Sequence, residues 1–299
     1  MRKKRRNLFV LLCLCAFALM AIGSSSSDSG DKKDIVSSGD KSDNDKSSST
    51  NKKVTIEQQV LFEKENIKVT ALEYVTNSIM GDGIKLQVEN NSGKAVSVSC
   101  KALVVNNFMI NELFVANVAA GKKVNETMYL SSSQLEAAGI ERVGQVEIYF
   151  HVYESDTFED IFDTDCMTIK TSQYENMDTT PDDTGVELYN EDGIKIVGKA
   201  VDEDSFWGKT IVLYCENNSG KDATIQVKDL SINGFMINPI FSLTIYDGKM
   251  AVDAIDMLSS DLEENGIEAI KDVELKFRIF EGDSFLKGKD TDVIKFSVK

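Results

Sequence analysis

The 299-residue sequence has one histidine, two prolines, one tryptophan and five cysteines, and it is short of positive charge, with 33 Lys and Arg against 49 Asp and Glu. Each shortage removes a class of function. A single histidine, His151, speaks against Ser-His-Asp and Cys-His catalysis and against histidine-rich zinc sites, which need imidazole as base or ligand. Cys13 and Cys15 sit in the apolar start, which leaves an odd set of three, Cys100, Cys166 and Cys215, and hence no disulfide framework. The formal charge is -16, and the only charges before residue 24 are Arg2, Lys3, Lys4, Arg5 and Arg6, so removing that segment takes -16 to -21. A surface this acidic repels phosphate backbones, which excludes nucleic acid as a partner. Gly81-Asp82-Gly83 lacks the third glycine of a phosphate loop, and no segment has the full spacing of a calcium loop.

Export is what the first residues point to. A basic start, an apolar run over 8–22 and small residues at its end make a signal segment over 1–23. The run is shorter than the roughly 20 residues of a spanning helix, which suits cleavage. "LMAIGSSSS" also resembles a bacterial lipoprotein box followed by a Ser-rich tether, but Ile22 stands where the lipid-bearing Cys would be. Cleavage and retention through residues 1–23 both stand open, and both place the folded part outside the cytoplasm. Residues 24–53 are Ser, Asp, Lys, Gly and Asn with almost nothing apolar, the composition of a disordered tether.

Beyond the tether the sequence is written twice. "ENNSGK" occurs at 89–94 and at 216–221, and the offset of 127 continues through "NNFMIN" and "NGFMIN", "GIE" at 139 and 266, and Phe158 with Phe285. No gap is needed from 67 to 171, and roughly a third of positions are identical, which marks a tandem duplication of whole domains. Repeat one is assigned to 54–171 and repeat two to 186–299. The acidic joint over 172–185 could span about 45 Å if extended, and its composition predicts two mobile beads.

Strand periodicity dominates each repeat. In "VEIYFHVY" Val146, Ile148, Phe150 and Val152 fall on one face, and "VELKFRIF" repeats this with Val273, Leu275, Phe277 and Ile279. In "ENNSGK", Asn and Gly suggest a tight turn with positive φ. Ser133 to Glu136 and Ser260 to Glu263 have the form of capping boxes, with Gly139 and Gly266 at the C-cap, which predicts one short helix per repeat. Seven or eight strands and a helix in about 110 residues indicate an all-β fold, an aligned β-sandwich.

These features together resemble the immunoglobulin-like domains of uncharacterised secreted proteins and lipoproteins of Gram-positive bacteria. The resemblance implies an extracellular sandwich with a binding or structural role, without catalytic residues. The Cys-Trp-Cys hallmark of antibody domains is absent.

No catalytic, cofactor or metal site is assigned. Each cysteine aligns with a valine of the other repeat (Val227, Val293 and Val88), so a buried thiol is expected, with a Cys100–Cys166 disulfide as the alternative. Asp163 and Asp165, with Asp290 and Asp292, would share a strand face and could meet Ca²⁺ with Asp156 or Asp283, but a solvated acidic edge is the favoured expectation. Phe206 and Trp207 are the candidate binding residues, as a lid or a surface anchor. Phe108 with Phe235, Phe114 with Phe241 and Phe150 with Phe277 are expected in the core. The expectation is a non-enzymatic extracellular or envelope protein that binds an unknown protein or polymer, or acts as a spacer. The alternative is an exported small-ligand or metal-ion binding protein accessory to transport.

Overall fold

A computed structural model describes residues 53–77, 80–205, 208–282 and 287–298. The signal segment, most of the tether and the candidate pair Phe206 and Trp207 lie outside the described residues. Among the described residues no helix is long and apolar enough to cross a membrane.

The chain is mostly strand, and the alternation of apolar residues shows why. Val146, Ile148, Phe150 and Val152 are fully buried, as are Leu275 and Phe277, because a period of two turns every second side chain to one face. Repeat one runs β1 (Gln59–Lys64), β2 (Ile67–Asn77), β3 (Gly81–Asn90), β4 (Val96–Val105), β5 (Phe108–Ile110), β6 (Val115–Val118), β7 (Lys122–Tyr129), α1 (Ser132–Ala137), β8 (Gln145–Glu154), β9 (Asp160–Asp163) and β10 (Met167–Lys170). Repeat two follows the same order with β11 (Val186–Glu191), β12 (Ile194–Ser205), β13 (Gly208–Asn217), β14 (Ala223–Ile232), β15 (Phe235–Met236), β16 (Ser242–Ile245), β17 (Lys249–Leu258), α2 (Ser259–Glu264), β18 (Asp272–Glu281), β19 (Lys289–Asp290) and β20 (Ile294–Ser297). Each repeat thus has ten strands among the described residues, more than the seven or eight that the sequence pattern indicates.

In repeat one the sheet β1-β2-β3-β7 faces a second sheet, β10-β8-β4-β5, with β6 on β4 and β9 on β8. Residues of both sheets meet in one core that includes Val69, Leu86, Val98, Ile148 and Phe150. Repeat two builds β11-β12-β13-β17 and β15-β14-β18-β19 in the same way around a second core that includes Ile196, Leu213, Ile225, Leu275 and Phe277. The two repeats are not separate beads. Strand β17 of repeat two pairs in parallel with β5 of repeat one at Met250 and Phe108, so one sheet runs through both repeats. The joint is tied down as well: the Ser172 amide donates to the Thr55 carbonyl at 2.8 Å, and Lys195 and Lys199 reach Asp183 and Asp182.

The doubled "ENNSGK" has a different cause from the turn expected of it. Asn90 is fully buried at the end of β3, where the chain leaves one sheet for the other. Its side-chain amide donates to the carbonyls of Lys94 (2.7 Å) and Val118 (2.9 Å), and its oxygen accepts from the Ser92 amide and hydroxyl. Asn217 repeats all four bonds with Lys221, Ile245 and Ser219. Within the motif only Gly220 has a positive φ; the buried asparagine, which satisfies four polar groups at once, sets the sequence. Asn106 and Asn233 act similarly. Each takes a left-handed conformation in the β4–β5 or β14–β15 turn, and its side chain bonds the residues that lead into β8 or β18.

The helices form, but not as capping boxes. They begin two residues earlier than the motif implies, with Ser131 and Leu258 at the N-cap positions and no side-chain cap bond. Their C-terminal ends are as expected, with Gly139 and Gly266 at positive φ. Gly139 donates to Glu136 and Ile140 to Leu135, and Gly266 and Ile267 do the same with Glu263 and Leu262, which is the paired bonding of a Schellman end. Gly81-Asp82-Gly83 opens β3. Phe235 also departs from the core position expected of it: it is 47% exposed where its counterpart Phe108 is 2% exposed.

Candidate functional site

The contact between the repeats gathers side chains that sequence periodicity places on a solvated face. Glu147 points outward from β8, yet it is buried, because Lys249 at the start of β17 lies 2.6 Å from it. Lys249 also donates to the Asn107 side-chain oxygen at 3.0 Å, and the Met250 amide donates to the Asn107 carbonyl at 3.0 Å. Tyr149 and Tyr246 meet edge to face at 4.9 Å. Val197, Tyr214 and Met250, on the outer face of the β12-β13-β17 sheet, join the core cluster of repeat one. Sequence reasoning misses this joint, since one repeat read alone shows Glu147, Tyr149 and Asn107 as surface positions.

A cleft of about 510 Å³ opens beside the joint. Cys100, Lys101 and Glu112 line it from repeat one, and Asp222, Tyr246 and Asp253 from repeat two. Burial raises the Glu112 carboxyl above its ordinary value, with only the Leu113 amide opposing it. Burial also raises Asp253, against the Ala254 amide, and nearby Asp256 adds to the rise. Burial, helped by the negative charge of Glu112, pushes the Cys100 thiol up to about 12. A thiol in that state is neutral at physiological pH and a poor nucleophile. The cleft thus presents the Glu112 and Asp253 carboxyls beside a thiol that burial keeps protonated.

The three described cysteines are free. Cys215 is buried and Cys100 half-buried, but Cys166 is exposed, so the buried-thiol expectation fails for it and the Cys100–Cys166 disulfide does not form. Asp163 and Asp165 do not share a strand face, because β9 ends at Asp163. Asp163 is also neutralised: it accepts from Lys101 at 2.6 Å and pairs with His151 Nδ1 at 2.7 Å. Burial would raise it, but the hydrogen bonds and charges of Lys101 and His151 hold it below the ordinary carboxylate value. In repeat two Arg278 and Lys228 hold Asp290 in the same manner and bring it down to about 2. His151 and Arg278 are thus equivalent clamps on the strand that follows. Among the described residues no three His, Cys, Asp or Glu side chains gather as a metal-binding group.

No protein-family model matches the chain, and no curated protein matches it. Solved structures give distant likenesses. The SafA pilin in complex with the SafB chaperone from Salmonella enterica is 12% identical with a TM-score of 0.22, covering 78% of this chain and 96% of that one. A protein of unknown function from Porphyromonas gingivalis W83 is 10% identical with a TM-score of 0.20, covering 78% and 90%. Scores this low carry no argument about this chain.

Proposed function

We propose that the chain is an exported, non-enzymatic binding or spacer protein of the cell envelope or exterior, built from two immunoglobulin-like sandwiches. The strand order supports the immunoglobulin-like reading. With β1 set aside as an added strand, β2-β3-β7 and β4-β8-β10 follow the A-B-E and C-F-G order of that fold, and repeat two follows it again. The helix lies between the strands that correspond to E and F.

One observation carries the functional reading. Of the carboxylates proposed from sequence, Asp163 and Asp290 are ion-paired, and burial keeps the Cys100 thiol neutral. Folding leaves apolar side chains of repeat two outside its core: Phe235, Met236 and Ile240, close together in sequence, are 47%, 66% and 55% exposed. Apolar side chains grouped on an otherwise charged surface mark a place for a macromolecular partner. The partner is an extracellular protein or envelope polymer, and residues 1–23 either leave on export or keep the chain at the membrane.

In-cell cross-linking of the tagged full chain, read by mass spectrometry, tests this. One envelope or secreted component enriched over an unrelated exported protein supports a binding role; an empty result leaves the spacer role. A second reading, a small-ligand protein accessory to transport, rests on the cleft with Glu112 and Asp253. A rise in melting temperature with cations or amines, lost in Asp253→Asn, would favour it.

A further inference from the structure

The joint between the repeats is one-sided, and its free half is displayed on repeat two. In repeat one β5 is the edge of its sheet and is covered by β17, which leaves Phe108 2% exposed. The duplicate strand β15 is also the edge of its sheet, but no strand of the chain pairs with its outer side among the described residues. Phe235 and Met236 keep the residue types of Phe108 and Met109. The register is kept too. Met109, Val104 and Glu147 form one cross-strand row in repeat one, and Met236, Ser231 and Glu274 form the matching row in repeat two. Glu147 takes Lys249 of the covering strand; Glu274 is half-exposed and pairs on the surface with Lys295 at 2.8 Å.

We propose that β15 is a docking edge that accepts, in parallel, a strand from a different polypeptide with the chemistry of β17: a glycine and a lysine followed by a large apolar residue. The lysine would pair with Glu274 and the apolar residue would cover Phe235, as Met250 covers Phe108, while the next side chain of the added strand would lie over Met236. Strand addition of this kind draws affinity from main-chain bonds and specificity from alternate side chains. A second copy of the chain does not fit. Its own β17 is occupied by β5, and its β7, the equivalent edge, is polar. Thr70, Gln87, Lys123 and Asn125 stand where repeat two has Val197, Tyr214, Met250 and Val252. Those polar residues protect the chain from growing head to tail, since an unclosed heterologous contact makes fibres.

This inference rests on the proposed binding function and names its site. The test is fluorescence anisotropy of a labelled peptide with the sequence of residues 246–253, YDGKMAVD, titrated with the full chain. The expected result is saturable binding that weakens at least about tenfold in Met236→Asp, in Glu274→Lys and when the peptide lysine becomes glutamate, as loss of a central apolar or ionic contact would give. Met236 is exposed, so the variant should fold, and an unchanged melting temperature confirms that. Absent binding, or binding indifferent to Met236→Asp, overturns the proposal; so does self-association of the wild type that Met236→Asp abolishes. If the whole chain captures a partner while the peptide does not bind, the binding function stands and this site falls.

Discussion

At the residue scale, the asparagines do more than the turn chemistry that makes them visible. Asn217 is fully buried and bonds two carbonyls, an amide and a hydroxyl. Asn217→Ala leaves several of these without a partner, and each unsatisfied buried group costs about 1–3 kcal/mol. Urea denaturation should show a loss of about 3 kcal/mol, with Asn90→Ala similar; a loss below about 1 kcal/mol would contradict the buried network. Asp253 gives a pH prediction. Its folded carboxyl is raised, first by burial, so the native state holds the proton more tightly than the unfolded chain. Stability from this group is therefore present below the ordinary carboxylate value and lost as pH rises through the folded value. Melting temperature should climb as pH falls from neutral into that window, and less steeply in Asp253→Asn. Asp290 has the opposite sign. Held down to about 2 by Arg278 and Lys228, it favours the fold above its unfolded value near 3.8 and loses that contribution as pH falls toward 2.

At the element scale, much was legible. The period of two in the β8 and β18 runs, the glycine-terminated helices and the duplication follow from residue pattern alone, because burial of one face and a left-handed cap leave local marks. Gly266 has φ +66, so Gly266→Ala should cost about 1 kcal/mol by forcing an alanine into that region. What was not legible depends on contacts between distant elements. Glu147 alternates as a surface residue would, and only the arrival of Lys249 from the other repeat buries it. Phe235 matches Phe108 in sequence and differs in exposure because one is covered by β17 and the other is not. The candidate pair Phe206 and Trp207 falls outside the described residues, whereas the exposed apolar pair Phe235 and Met236, beyond β13 and β14, was hidden by its identity with residues 108 and 109 of repeat one. Lys249→Met would strand Glu147 in a nearly buried position. Removing one partner of such a pair costs several kcal/mol when burial is complete, and about 2 kcal/mol is expected here, with side chains still 15% and 11% exposed.

At the scale of the whole molecule, the duplication yields a chain whose two halves are alike in topology but not in surface. One half offers a docking strand and the other a docking face, and they join to each other. The free strand at one end and the polar edge at the other follow from that asymmetry. This account depends most on the sheet passing from one repeat into the next, which amide hydrogen exchange of the full chain can test. The Met250 amide, bonded to the Asn107 carbonyl, should exchange as slowly as amides inside the sandwiches, while that of Lys123, its counterpart on the open edge of β7, should exchange orders of magnitude faster. Equal and rapid exchange at Met250 and Lys123 would show that the repeats are not joined through this strand, and would contradict both the shared sheet and the docking edge inferred from it.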